Sequence, residues 1–191
     1  IFGVDKNKTA VKLTKFSLQL ALCQVVPNNE LWNWTDDKVK VFEDLNQNIS
    51  NEDFFDFLVK EGYSQFHDYF DWVIGNPPFT SLSTKEYEQY VEKLSPKYSF
   101  SVKIPDNQLA LMFLEASSLL LKNMGNLCFI QKSTSLLYTK NSQEFKEALF
   151  NNYHVHQVID FTLLKNHLFK TSKRTDLPAE ILSSTKLFKV P

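Results

Sequence analysis

The sequence predicts a doubly wound α/β domain with a mostly parallel sheet, and three observations carry that expectation. Short apolar runs alternate with stretches of helical periodicity in the order strand, helix, strand, crossover, strand, helix, strand, helix, strand. The chain's 191 residues, 43% apolar, 14% aromatic and 23% charged, suit one globular domain with a sizeable core and disfavour long disorder. No internal repeat or low-complexity segment interrupts the order.

The elements follow in turn. Ile1-Phe2-Gly3-Val4-Asp5 reads as a strand, with no Met and no run-in, so the chain is taken for a piece of a longer protein. A helix is expected over residues 9–22, with Leu13, Phe16 and Leu20 on an inward stripe that Val11, Leu18 and Leu22 widen. Pro27-Asn28-Asn29 breaks it, and residues 39–42 read as a short strand closing on Glu43-Asp44. From residue 30 to 71, eleven acids face three lysines, the pattern of a solvated acidic face with a helical turn near residues 54–58.

Phe70-Asp71-Trp72-Val73-Ile74-Gly75 reads as a buried strand that stops at Asn76-Pro77-Pro78-Phe79, because neither proline can donate to a ladder. Residues 80–105 are polar and irregular, with a helix expected over 84–94. Asp106 or Asn107 is expected to cap a helix running to residue 123, with Leu109, Met112, Phe113, Ala116 and Leu120 inward and Gly125 as its C-terminal stop. Residues 127–130 read as a buried strand, Asn141-Ser142-Gln143-Glu144 as a capping box opening a helix to residue 151, and residues 155–162 as a further strand.

Cys23 and Cys128 lie in apolar runs without paired-thiol or metal-ligand spacing and read as reduced core residues of a cytoplasmic protein. No apolar stretch approaches the roughly 18 residues of a membrane span. A net charge of -1 excludes a uniformly basic surface that would hold nucleic acid by charge alone. His154 and His156 alternate as a metal pair would, but nothing nearby supplies a third ligand, so no metal site is expected.

Open α/β sheets bind ligands beyond the carboxyl ends of their strands, which singles out Asp5, Glu43, Asp44, residues 76–79, Lys132 and Ser133. Asn-Pro-Pro-aromatic is the most specific of these, arising by accident in a chain of this length on the order of once in a thousand. Each proline holds the residue before it extended, so the Asn76 side-chain oxygen and the Pro77 carbonyl become a rigid pair of acceptors, with the flat face of Phe79 beside them. Such a pair suits a planar exocyclic amine, whose lone pair two accepted hydrogen bonds would localise for attack on an electrophile. A proline-stiffened turn capped by a core Phe79 is the alternative.

Asp71-Trp72-Val73-Ile74-Gly75-Asn76-Pro77-Pro78-Phe79 resembles the catalytic motif of the adenine-N6 DNA methyltransferases, in particular the gamma-ordered class of restriction-modification systems. Residues 1–5 and the helix after them resemble that family's second strand and helix, and residues 107–113 resemble the helix beneath its cofactor. The resemblance implies a Rossmann-like fold that uses S-adenosylmethionine, with Asn76, Pro77, Pro78 and Phe79 catalytic. It also implies that Asp5 accepts hydrogen bonds from the cofactor ribose and that an acid after the third strand meets the cofactor adenine. Asp44 is chosen for that role over Glu43.

The expected reaction is methyl transfer to the N6 amine of an adenine extruded from double-stranded DNA, in line and without a covalent enzyme intermediate, since no cysteine stands near the loop. Fused or separate nuclease and target-recognition modules are the partners implied. Two departures stand out. The family's glycine-rich cofactor loop would precede residue 1, and the four glycines here, at 3, 62, 75 and 125, form no such loop. Residues 187–191 resemble only the approach to the hairpin that completes the base pocket, while residues 165–189 carry six basic side chains against two acids. The expectation is an internal part of a catalytic domain that does not turn over by itself. A protein-glutamine or RNA-base methyltransferase, and a non-catalytic methyltransferase-like binding module, are the rival readings.

Overall fold

The computed structural model describes residues 1–26, 45–60, 65–95, 100, 102–133, 136, 138 and 140–161, and the backbone of 179–186. They belong to two compact units, Ile1–Lys60 and Glu61–Pro191.

In the first unit, β1 (Gly3–Val4) and β2 (Ile49–Ser50) pair in parallel, Gly3 opposite Ile49. Helix α1 (Lys8–Val25) starts where the Asn7 side chain accepts hydrogen bonds from the Thr9 and Ala10 amides, at 2.9 and 3.2 Å. The helix is where the periodicity placed it, but its inward stripe is not. Leu13, Phe16 and Leu20 are 60%, 58% and 48% exposed, and Val11 is the buried residue. A sheet of two-residue strands offers so narrow a surface that one side chain covers it. After β2, the Asp53 carboxylate caps α2 (Phe54–Val59), whose Phe55 and Leu58 are fully buried. The strand expected over residues 39–42 lies outside the described residues, and the strand beside β1 is β2.

The second unit is a four-stranded sheet with helices. Its strands are β3 (Phe70–Gly75), β4 (Leu121–Lys132), β5 (Tyr153–Asp160) and β6 (Ala179–Lys186), in the spatial order β3-β4-β6-β5. β3 and β4 are parallel, and β6 is antiparallel to both β4 and β5, so three strands share one direction and β6 opposes them. β6 was not among the expected strands. Along β4, Leu127, Phe129 and Gln131 are buried while the residues between them are half-buried, the alternation of a central strand.

β3 has the expected bounds but is not a buried strand: Trp72 and Ile74 are 60% and 76% exposed. It forms one edge of this sheet among the described residues. Helix α3 (Thr84–Leu94) occupies the expected span. Helix α4 (Leu109–Ser117) is buried almost all round, as its nearly continuous apolar sequence requires. It ends six residues short of the expected 123. The chain passes through a 3-10 turn (Ser118–Leu120) straight into β4, and Gly125 is a strand residue, not a helix stop.

Gly125 belongs to a bulge. Phe70 faces Leu121 and Trp72 faces Asn126, so β4 carries three extra residues against β3 here, with Met124 at a positive φ of 60°. A Cβ on Gly125 would lie 3.0 Å from the carbonyl oxygens of Lys122 and Phe70. Helix α5 (Gln143–Asn152) begins after Ser142, which makes no capping bond, so the expected capping box does not form; the Ser142 hydroxyl donates to the Leu136 carbonyl at 3.4 Å. Cys23 and Cys128 are free thiols, both half-buried instead of core.

Candidate functional site

In the first unit the parallel pair directs two strand ends the same way. Past β1 stands Asp5, exposed, its Oδ1 accepting from the Asn7 amide at 2.6 Å. Past β2 stands Asn51, whose Nδ2 donates to the Asp5 carbonyl at 3.0 Å, tying the ends together. Glu52 pairs with Lys60, and Asp53 is occupied as the cap of α2. Asp44 and Glu43 lie outside the described residues. The positions that follow the strand beside β1 are Asn51, Glu52 and Asp53, which the sequence reading passed over. Their signal was present, since an Asp directly before Phe54-Phe55 is an N-cap and so marks where the preceding strand must end.

In the second unit the parallel β3 and β4 also end at a common edge. Gly75, the last residue of β3, faces Phe129, whose ring lies so close that a Cβ on Gly75 would sit 2.9 Å from Cζ. The chain then leaves the sheet through Asn76-Pro77-Pro78-Phe79. Asn76 and Pro78 are exposed, Pro77 is buried and Phe79 is half-buried. Among the described residues the Asn76 side chain makes no hydrogen bond. The turn thus alternates a buried Pro77 with the exposed Asn76 and Pro78 on either side of it.

The chain beyond the turn is held by residues far along the sequence. The Leu109 amide donates to the Thr80 carbonyl and the Leu82 amide to the Asn107 carbonyl, both at 2.9 Å, around an antiparallel bridge between Ser81 and Gln108. Asp106 and Asn107 were expected to cap α4. Instead they sit at positive φ of 48° and 49° in a 3-10 turn (Pro105–Asn107), and Gln108 is the N-cap position. Nothing in the local pattern announced this clamp, because its halves are 27 residues apart.

Past the clamp, Ser83 and Glu86 form a capping box on α3: Glu86 Oε2 accepts from the Ser83 amide at 2.9 Å and from its hydroxyl at 2.6 Å. The Ser83 hydroxyl, then its amide, hold the Glu86 carboxyl below its ordinary range. At the end of β4, Ser133 is fully buried and Lys132 half-buried. Farther along, burial and the nearby Glu115 carboxylate push the Tyr153 hydroxyl well above its ordinary range, against a smaller opposing effect of its hydrogen bond with Ser118. Tyr153 therefore stays protonated and serves the interior. His154 and His156 stack edge to face with ring centres 4.8 Å apart. A depression of about 850 Å³ beside α5, lined by Tyr138, Lys140 and Phe150 among others, contains none of the strand-end residues.

Parallel strands that end at one edge of an α/β unit, with a proline-locked turn leaving that edge, place the candidate site where open α/β sheets bind ligands. Residues 1–169 match the family model described as Eco57I restriction-modification methylase, and the chain belongs to that family. No curated protein matches the chain. One similar solved structure is described as a modification subunit of a type I restriction enzyme from Vibrio vulnificus YJ016, at 17% identity and a TM-score of 0.47. The match covers 73% of this chain, which spans 27% of that one.

Proposed function

We propose that this chain carries the base-handling half of an adenine-N6 DNA methyltransferase and that residues 76–79 hold the target amine. The observation that carries the reading is the exposed Asn76, on a turn fixed by two prolines at the end of β3. An acceptor that folding has already oriented, and that no donor among the described residues consumes, is ready for a substrate donor and costs no reorganisation when the amine arrives.

In this mechanism Asn76 Oδ1 and the Pro77 carbonyl each accept one N–H of the adenine amine. Drawing both hydrogens out of the ring plane localises the nitrogen lone pair. Phe79 lends its exposed part as a stacking face for the extruded base, worth about 1–3 kcal/mol. Neither acceptor needs a shifted pKa, so positioning does the catalysis.

S-adenosylmethionine, when bound, supplies the methyl electrophile. The donor chemistry at the first unit's strand ends fits it in part. Asp5 is exposed and spends Oδ1 on Asn7, while among the described residues Oδ2 has no hydrogen bond and could accept one from a ribose hydroxyl. Asn51, past β2, is a candidate for the adenine end, as is Asp44. DNA is the proposed substrate, and nuclease or target-recognition modules are the proposed partners.

The test is Asn76→Ala in the full-length protein, followed by transfer of labelled methyl groups into plasmid DNA grown without adenine methylation. Removing one positioned acceptor should raise the barrier by about 3–4 kcal/mol, a loss of several hundredfold, while cofactor affinity by calorimetry stays the same. Near-normal transfer to adenine by the variant would reject the assignment.

A further inference from the structure

We propose that Gln108 is a positioning residue for the turn at residues 76–79, acting through the hydroxyl of Ser81. The inference rests on the assignment of that turn to the target amine and adds what sets its place.

Two prolines remove two amide donors from the turn, which lies outside the sheet ladder, so its position is set largely where it joins fixed structure. On one side that is β3. On the other it is the three-residue strip Thr80-Ser81-Leu82, bound to residues 107–109 by the two 2.9 Å backbone bonds and the Ser81–Gln108 bridge. Gln108 adds the side-chain contact, its Nε2 donating to Ser81 Oγ. The anchor behind Gln108 is rigid. It opens α4, the buried helix, and the first turn of α4 is fastened to β4 by Gln131 Nε2, which donates to the Ala110 carbonyl at 3.2 Å. A continuous path thus runs from β4 through Gln131, α4 and Gln108 to Ser81, two residues after Phe79.

The chemistry of Gln108 argues that this amide is used. The residue is 4% exposed, and its Oε1 is buried without a hydrogen-bond partner among the described residues. A methionine or leucine would fill the same space without a stranded acceptor, so packing alone does not favour glutamine there. The chain also holds Asp106 and Asn107 at left-handed φ immediately before it. Consecutive strained residues persist only where the surrounding contacts over-determine them, and the clamp supplies those contacts.

The experiment compares Ser81→Ala, Gln108→Met, the double variant and Ser81→Thr with the wild type and Asn76→Ala. It uses the full-length protein, S-adenosylmethionine and plasmid DNA grown without adenine methylation. A turn whose anchor keeps its backbone bonds but loses the side-chain contact should lose about tenfold to a hundredfold in kcat, with KM for DNA and cofactor within twofold, because binding survives and alignment does not. The double variant should be no slower than either single one, and Ser81→Thr, which keeps the hydroxyl, should recover most of the rate. Ser81 is exposed, so Ser81→Ala should melt like the wild type even if the buried Gln108→Met does not. Unchanged kcat in Ser81→Ala, or losses that multiply in the double variant, would overturn the proposal. If Asn76→Ala loses transfer while Ser81→Ala keeps the wild-type kcat, this inference alone fails; if Asn76→Ala transfers normally, the assignment of the turn fails with it.

Discussion

Single residues at the end of β3 carry two opposite kinds of constraint, and substitution separates them. Phe79 is half-buried, between a core residue and a free platform. If its ring stacks on an extruded base, Phe79→Ala should cost clearly less than the 3–5 kcal/mol of a fully buried phenylalanine and should weaken 2-aminopurine fluorescence changes at the target position. Phe79→Trp should keep substantial activity. A large fall in melting temperature with unaltered fluorescence would make Phe79 a packing residue. Gly75 is constrained by contact instead. Its place against the Phe129 ring, which is 3% exposed and has no room to retreat, makes Gly75→Ala an overpacking change of roughly 1–3 kcal/mol. Phe129→Leu in the same chain should recover part of that loss in urea denaturation; simple addition of the two losses would show that the contact is not the cause. The turn was legible in the sequence because proline chemistry is local. The partner of Gly75 was not, because only the register of β3 on β4 brings Phe129 there.

At the level of elements, the helix starts are more informative than the helix faces. Ser83 and Glu86 make α3 a capped helix, and Ser83→Ala should cost about 1 kcal/mol in thermal or chemical unfolding. The cap also confers a pH dependence. Glu86 has a lower pKa when folded than when unfolded, so its contribution is present above its ordinary value of 4.5 and fades as pH falls through the lower folded value. Below pH 4.5 the stability gap between wild type and Glu86→Gln should therefore narrow, and a gap that widens on acidification would contradict the assignment. The caps at Asn7, Asp53 and Ser83 are local hydrogen bonds that the sequence carries, although the caps expected from it were others, at 106 or 107 and at 141–144. The end of α4 was not legible, since Leu119-Leu120-Leu121 continues the helical apolar pattern although the backbone has already turned into β4. Apolar periodicity reports which residues want burial, and both a helix and a strand can bury them.

For the whole molecule, the α/β class and the strands β1, β3, β4 and β5 were legible because they follow from alternation along the chain, whereas β2 was not expected. The exposed stripe of α1 and the exposed face of β3 were not, because exposure depends on what a face meets. β6 was missed for a related reason: Ala-Glu-Ile-Leu-Ser-Ser-Thr-Lys has two apolar side chains in a row and no alternation, and only its neighbours make it a strand. Its position predicts a sharp dependence on this segment. Deleting residues 179–191 should abolish cooperative unfolding of the second unit, since β4 and β5 each lose a full-length partner; circular dichroism on the shortened and full chains checks this. A sharp transition retained after deletion would show that β6 is dispensable. The same insertion makes the timing of synthesis matter. A ribosome adding roughly 5–20 residues per second finishes β5 about a second or more before it has delivered β6, and throughout that interval β4 and β5 present open ladder edges to any other nascent chain nearby. Slow codons between the two strands would lengthen that exposure, and a chaperone that shields strand edges would be needed most at that stage of translation.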